Sequence, residues 1–276
     1  MKMTNLTTTS VSEITAAFNA AFAKYYVPVN LTEEGMRERI VRGRIDLRES
    51  VGVFAEGQLV AFMLTGVEQK GDQKIAYNAG TGVLEAYRRR GLVQQMYDWA
   101  EEQWRAAGFT DLCLEVIVEN TYAIRAYEKA GFQAERRLAS YKYSGDEVAQ
   151  VPDSLLEQRP EPNWPAYEAI QPFAFSWDYA QAGVEALQDD YSFYENWSDG
   201  QLQYYAIVHQ NGRIAQAACR DHSAAGWQQL LNALQARYQN LIWINIDTRA
   251  EALLAELNAQ GWEPIIEQYE MFRPLG

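Results

Sequence analysis

Apolar residues recur at helical spacing across 11–22 (Val11, Ile14, Ala17, Phe18, Ala21, Phe22), and Ser10 stands where a cap belongs. This predicts a helix. Glu33, Glu34 and the stretch 36–42 suit a second, shorter helix, although Thr32 followed three residues later by Gly35 makes no capping box. The pattern then changes. Residues 50–55, 59–67 and 74–83 are rich in β-branched residues and separated by turn residues at Glu56-Gly57 and Gly71-Asp72, which predicts a strand meander. Helical spacing returns over 92–104 through Leu92, Val93, Met96, Tyr97, Ala100 and Trp104. An apolar strand (112–118), a helix (122–130) ended by Gly131 and a strand region (132–143) complete the first half.

Residues 144–165 hold four of the eight prolines and little periodicity, the composition of a connection between domains. The predicted division is therefore a first domain at 1–143, a linker at 144–165 and a second domain at 166–276. In the second, 203–209 and 214–219 flank Asn211-Gly212, a hairpin signal, and a helix (226–237), a strand (241–246), a helix (249–259) and a last strand (265–272) follow. That order repeats the end of the first half. Placing Ala218 on Val83 without gaps puts Gly226 on Gly91, and Gly261-Trp262 then echoes Gly131-Phe132, which reads as a tandem duplication.

Composition narrows the chemistry. With 276 residues, 48% of them hydrophobic, the chain can bury two ordinary cores. The polar opening has no signal-peptide core, and no run reaches the roughly 18 apolar residues of a membrane span, so a cytoplasmic protein without membrane contact is expected. Cys113 and Cys219, each in an apolar stretch, make neither a zinc set nor a disulfide framework, and no metal is expected. His209 and His222 stand near no nucleophile motif, which argues against a triad hydrolase, and Asp221-His222 reads as a polar turn. Residues 1–143 balance 18 basic against 18 acidic residues, which leaves 6 against 19 for the rest and places the whole charge of −13 there. That half is no nucleic-acid surface. Its acidity is either a solvated face or a lip that attracts a cationic substrate.

The chemistry concentrates in 76–132. A strand ending at Val83 is followed by Arg88-Arg89-Arg90-Gly91 and a helix from Leu92. The bare amides of a first helical turn, a glycine that lets backbone approach and three cations suit a pyrophosphate, although neither the dinucleotide-binding nor the P-loop pattern is present. Farther on come Asn120, Ala123, Tyr127, Glu128, Lys129, Gly131 and Phe132. Together these segments resemble the GNAT superfamily of N-acetyltransferases. Its acyl-CoA motif R/Q-x-x-G-x-G/A is met by Arg88, Gly91 and Val93, and its Asn-x-x-Ala-x-x-x-Tyr-Glu-Lys-x-Gly-Phe motif by 120–132. Arg89 stands where glycine is frequent, and Val93 where glycine or alanine is expected.

The resemblance, which covers about 10–143, implies an α/β fold of two tandem GNAT-like domains, each a mixed, mostly antiparallel sheet flanked by helices, with splayed central strands in the first. It implies acetyl-CoA as co-substrate, bound along Val83, Arg88, Arg89, Arg90, Gly91, Leu92, Val93, Asn120 and Ala123, and direct transfer to a primary amine of a small molecule. The amide at or next to Val83 would polarise the thioester carbonyl, Asn120 would bond the pantetheine arm or order the turn, and Tyr127 would protonate the leaving thiolate. Without the motif, Tyr127 reads as a tyrosine packed on the sheet. Glu115 is the candidate base, or else pairs with an arginine or faces solvent. Asn78 and Thr81 either line the acceptor cleft or satisfy strand backbone, and Tyr25 and Tyr26 either wall that cleft or pack in the core. In the second repeat, Ser223-x-x-Gly226-x-Gln228 replaces the arginine loop, and Leu254 or Leu257 takes the place of Tyr127. This half is expected to bind no CoA and to lend surface and charge to the acceptor side, favouring a cationic amine. The rival reading is a non-catalytic acyl-CoA-binding or scaffold protein.

Overall fold

The computed structural model describes residues 1–24, 30–145 and 155–275. The chain divides into two compact units, Met1–Glu135 with Glu270–Gly276, and Arg136–Tyr269. The division falls inside a strand and not in the Pro-rich 144–165 stretch, because the strands on either side of that stretch belong to one body. The chain's final residues return to the first unit.

In the first unit, β1 (Lys2–Asn5) leads to α1 (Val11–Phe22) and α2 (Glu33–Arg42), then to β2 (Val51–Ala55), β3 (Gln58–Lys70), β4 (Gln73–Val83), α3 (Leu92–Ala106), β5 (Asp111–Ile117) and α4 (Thr121–Lys129). Ser10 and Glu13 form a full capping box on α1. Thr32 caps α2 through the Gly35 amide at 3.0 Å, which requires only the hydroxyl oxygen and no box. Strand β1 answers to no sequence pattern. Its four residues lie at an edge with none fully buried, too short and too exposed to show an alternation.

The sheet of this unit runs β1-β2-β3-β4-β5, antiparallel except for the parallel pair β4–β5. In β3, residues from Leu59 to Thr65 are all buried, the signature of a strand covered on both faces. Phe18 and Ile14 of α1 and Leu92, Met96, Tyr97, Ala100 and Trp104 of α3 supply the covering layers.

The second unit begins within β6 (Gln133–Ser144) and continues through β7 (Glu157–Arg159), α5 (Trp164–Glu168), α6 (Gln181–Glu185), β8 (Tyr191–Ser198), β9 (Gln201–His209), β10 (Arg213–Cys219), α7 (Ala224–Gln235), β11 (Asn240–Asp247), α8 (Glu251–Ala259) and β12 (Glu263–Pro274). The expected linker thus carries β7 and the start of α5, and its residues 146–154 lie outside the described residues. Strand β8 was not anticipated, although Asp199-Gly200, both at positive φ, is the dipeptide that closes a two-residue hairpin. Here too, from β6 through β11, β10, β9 and β8 to β7, the described pairs are antiparallel but for the parallel β10–β11. Trp227, Leu230, Leu231 and Leu234 of α7 pack with Leu253 and Leu257 of α8 into its core.

Candidate active site

Parallel pairing of β4 with β5 runs from Ile75/Asp111 to Asn78/Leu114 and stops. Beyond it β4 continues to Val83 bonded only to β3, so the two central strands part, as expected for this half. A β-bulge accompanies the parting: Thr65 faces Asn78 and Leu64 faces Gly80, which leaves Ala79 as the extra residue. Asn78 secures the bulge, its Oδ1 accepting from the Gly80 amide and the Thr81 hydroxyl, each at 3.0 Å. Arg39 of α2, its guanidinium stacked over Phe18, donates to the Ala79 carbonyl. Sequence reasoning passed over Arg39, whose only signal is its place one turn after the buried Met36.

At the end of β4 the Leu84 amide donates to Val60 at 3.0 Å, toward β3. Neighbouring strand residues point their amide and carbonyl groups to opposite edges, so the Val83 amide faces the open edge. Of the expected pair, Val83 is the one whose amide faces that edge. Next comes the arginine loop. The Arg88 guanidinium donates to the carbonyls of Val83 at 3.1 Å and Ala21 at 2.9 Å, tying α1 to β4. Arg90 donates to Ala86 and lies over the Tyr87 ring. Two of the three cations expected at the phosphates therefore also serve the fold. Arg89 is exposed and adopts φ 62°, a left-handed backbone held with arginine in it. Gly91, at φ 70° and ψ 17°, is the N-cap of α3, and no side chain caps it. Leu92 is buried and Val93 half-buried in the first turn, whose amides carry the positive end of the helix dipole.

Asn120 caps α4, accepting from the Ala123 amide at 3.2 Å. This contact orders the turn from β5 into α4. One turn on, Ala123, Ile124 and Tyr127 form a half-buried face. Tyr127 meets Tyr97 and Phe132 edge-on, with ring centroids 6.3 and 5.9 Å away. Asn78 Nδ2 donates to the Tyr97 hydroxyl at 2.8 Å and lies 3.5 Å from that of Tyr127. Burial and the neighbouring Tyr127 push the Tyr97 phenol well above its ordinary pKa, so it stays neutral. Glu115 sits half-buried on β5, one residue past the last paired position. Cys113 is buried, in keeping with a core thiol. Tyr25 and Tyr26 lie outside the described residues.

The second unit parts its strands earlier, for β10 and β11 pair only at Arg213/Ile242 and Ile214/Trp243. Polar groups around the opening bond to the segment 170–176 of the same unit. His222 Nε2 donates to the Ile170 carbonyl at 2.8 Å, Arg136 to that of Ala174, and Asn245 Nδ2 to Ser176 Oγ at 3.2 Å. Beside this segment is a cavity of about 500 Å³ edged by Phe173, Trp227, Asp247 and Glu251. The adjacent Arg249 donates twice to Asp247, at 2.9 and 2.6 Å.

Helix α7 starts differently from the gapless repeat alignment: its N-cap is Ser223, so Ser223 and not Gly226 stands where Gly91 does. Ser223 Oγ accepts from the Gly226 amide at 3.0 Å and donates to Asp221, whose carboxyl is held low by bonds from the Ser223 amide and hydroxyl. Asp221 and His222 bond away from each other, a polar turn as read. Burial and Asp221 push the Cys219 thiol up to about 12, which makes it inert. Leu257, seventh in α8 as Tyr127 is in α4, is the buried counterpart of that tyrosine.

Among the described residues no group of side chains could hold a metal ion, and no helix is long and apolar enough to cross a membrane. No curated protein matches the sequence. Residues 15–132 match the acetyltransferase (GNAT) family. Solved structures similar to the chain include a protein of Pyrococcus horikoshii (TM-score 0.71, 15% identity, 99% of this chain and 89% of that one). A GCN5-related N-acetyltransferase from Sphaerobacter thermophilus aligns with TM-score 0.69 and 16% identity over 99% and 95% of the two chains. A tandem GNAT protein from the clavulanic acid biosynthesis pathway aligns with TM-score 0.65 and 14% identity over 100% and 98%. Residues 15–132 thus carry the match to the acetyltransferase (GNAT) family, and the chain as a whole has the fold of a tandem GNAT protein.

Proposed function

We propose that the chain is an acetyl-CoA-dependent N-acetyltransferase that acts on a primary amine of a small molecule. One observation carries the reading: the uncapped first turn of α3, the open edge of β4 and the half-buried Tyr127 hydroxyl lie at the same end of the parted strands. The residues present fit acetyl-CoA. Gly91 leaves the α3 amides open to phosphate oxygens, with nothing nearer than Gln95 Nε2 at 3.7 Å to a side chain placed there. The edge from Ala79 to Val83 offers backbone for a pantetheine arm to pair with. Leu92, Val93, Asn120 and Ala123 border the same space, with Arg89 adding charge.

When bound, acetyl-CoA supplies the acetyl group as a thioester whose C–S bond breaks as the C–N bond to the amine forms. The Val83 amide holds the negative charge that develops on the carbonyl oxygen. Tyr127 Oη gives its proton to the departing sulfur and recovers one from solvent. Glu115 takes the proton that the amine nitrogen releases. The net charge of −13 favours cationic amines as acceptors.

A second reading, an acyl-CoA-binding protein without turnover, draws on Arg88 and Arg90, whose guanidiniums bond to carbonyls of the chain. Thiol release from acetyl-CoA across a panel of amines separates the two. The proposal expects release that depends on amine and falls about 100-fold in Tyr127→Phe at unchanged acetyl-CoA affinity. Binding without release from any amine would leave the second reading.

A further inference from the structure

Asn78 is a polar side chain inside an otherwise apolar stretch of β4, and all its hydrogen-bonding capacity is directed. Its carbonyl oxygen accepts from the Gly80 amide and the Thr81 hydroxyl, and its amide nitrogen donates to the Tyr97 hydroxyl, with the Tyr127 hydroxyl at the edge of bonding range. One side chain therefore touches both the bulge that parts β4 from β5 and the tyrosine on α4. We infer that Asn78 is a positioning residue that sets the bulged backbone of β4 and the direction of the Tyr127 proton together. This rests on the acetyltransferase reading and adds to it a residue that no motif marks.

The direction follows from the chemistry of the amide. An Nδ2 group carries two protons and accepts none, so each tyrosine oxygen it meets must act as acceptor. A Tyr127 oxygen engaged in this way keeps its own proton for a partner on its other side, the open side of the site. Once that proton is given up, the same N–H faces a phenolate oxygen, a charge-assisted bond and the stronger of the two. Tyr97, fully buried and neutral, accepts the second proton of Nδ2, and the Gly80 amide, which can only donate, keeps the side-chain amide from turning over. On the far side of the bulge, Arg39 holds the Ala79 carbonyl. The extra residue is thus fixed from both faces, and the Val83 edge four residues on inherits that alignment.

Asn78→Asp is the discriminating substitution. Its Oδ1 still accepts from Gly80 and Thr81, so the bulge survives, but the other oxygen accepts where the amide donated and draws the Tyr127 proton inward. Three results are expected. First, kcat falls about 10- to 100-fold while KM for acetyl-CoA changes less than about twofold. Second, the loss shrinks to under about threefold in a Tyr127→Phe background, because the substitution acts through that hydroxyl. Third, 3-fluorotyrosine placed at 127 and followed by 19F NMR titrates at higher pH in the variant than in the parent. The third result needs no turnover, so it holds even if the protein proves to bind acetyl-CoA without transferring it. An undiminished loss in the Tyr127→Phe background, or an unmoved 19F titration, would overturn the assignment. If the aspartate variant does not fold, Asn78→Ala in both backgrounds reads the same coupling, and equal losses in the two would overturn it.

Discussion

At the end of β4 the first turn of α3 is bare, opened by Gly91 at positive φ; at the end of β10 the first turn of α7 is closed by the Ser223 hydroxyl and backed by the Asp221 carboxylate. The two units share an order of strands and helices but differ where chemistry would sit. Asn78, the last residue of β4 paired with β5, has as its counterpart Ile214, the last residue of β10 paired with β11, and the caps Asn120 and Ala250 correspond in α4 and α8. Tyr127 is half-buried, whereas Leu257 is sealed in the core. The fold asks for the parted strands in both units; what each unit does with the gap is decided by a few polar side chains. The first leaves the opening turn of α3 without a side-chain cap, and the second spends polar groups on its own segment at 170–176.

The largest effect is expected where that closure is tightest. Asp247 is fully buried and faces Arg249 at 2.6 Å and Arg136 at 3.4 Å. Burial raises its carboxyl, but the Arg249 bonds outweigh burial and hold it below the ordinary value. A depressed folded pKa means that this stability is present above about pH 4, the usual range for an unfolded aspartate, and lost as pH falls through the folded value. Asp247→Asn should cost about 3 kcal/mol at neutral pH, because it takes the charge from the buried partner that both arginines share. It should also flatten the acid limb of stability for the second unit in urea melts from pH 7 to 3. An unaltered acid limb would show that the pair does not close this unit.

Next is the open turn of the first unit. Gly91→Val places a β-branched residue at φ 70° and puts a side chain over the α3 amides. Acetyl-CoA affinity should fall at least tenfold by calorimetry, with a stability loss of about 1–2 kcal/mol. Retained affinity would move the phosphates elsewhere.

The helices and the meander of the first unit, and the run from β9 to β12 in the second, are readable in the sequence because apolar spacing is a repeating signal, whereas β1, β7, β8 and the five-residue α5 and α6 are not; the Gly91 and 120–132 segments stand out as motifs. The bulge at Ala79, the Arg39 contact and the tie from Arg88 to Ala21 are not readable. Each joins residues far apart in the chain, and a contact at long separation leaves no period to detect. The gapless alignment of Gly91 with Gly226 failed for a related reason. Identical letters suggested equal roles, whereas helix starts are set by caps, and Ser223 supplies one three residues earlier.

Ser223→Ala removes that cap and should destabilise the second unit by about 1 kcal/mol without creating an acetyl-CoA site, since Asp221 remains. Thermal melts with and without acetyl-CoA would show a lower Tm and no second ligand-dependent shift; a new shift would mean that the cap alone had excluded the ligand. The smallest effect is expected at Arg89, held at φ 62°. Arg89→Gly relieves a left-handed backbone at the cost of added freedom in the unfolded chain, so stability should change by less than about 1 kcal/mol. A larger loss would assign the Arg89 side chain a structural contact.

The central claim is that the chain has one acyl-CoA site, at the start of α3. Titration of the full chain with acetyl-CoA in a calorimeter tests it most directly. The account predicts one molecule bound per chain in the parent and none measurable over the same range in Gly91→Val. Two molecules per chain, or one that persists in Gly91→Val, would contradict it.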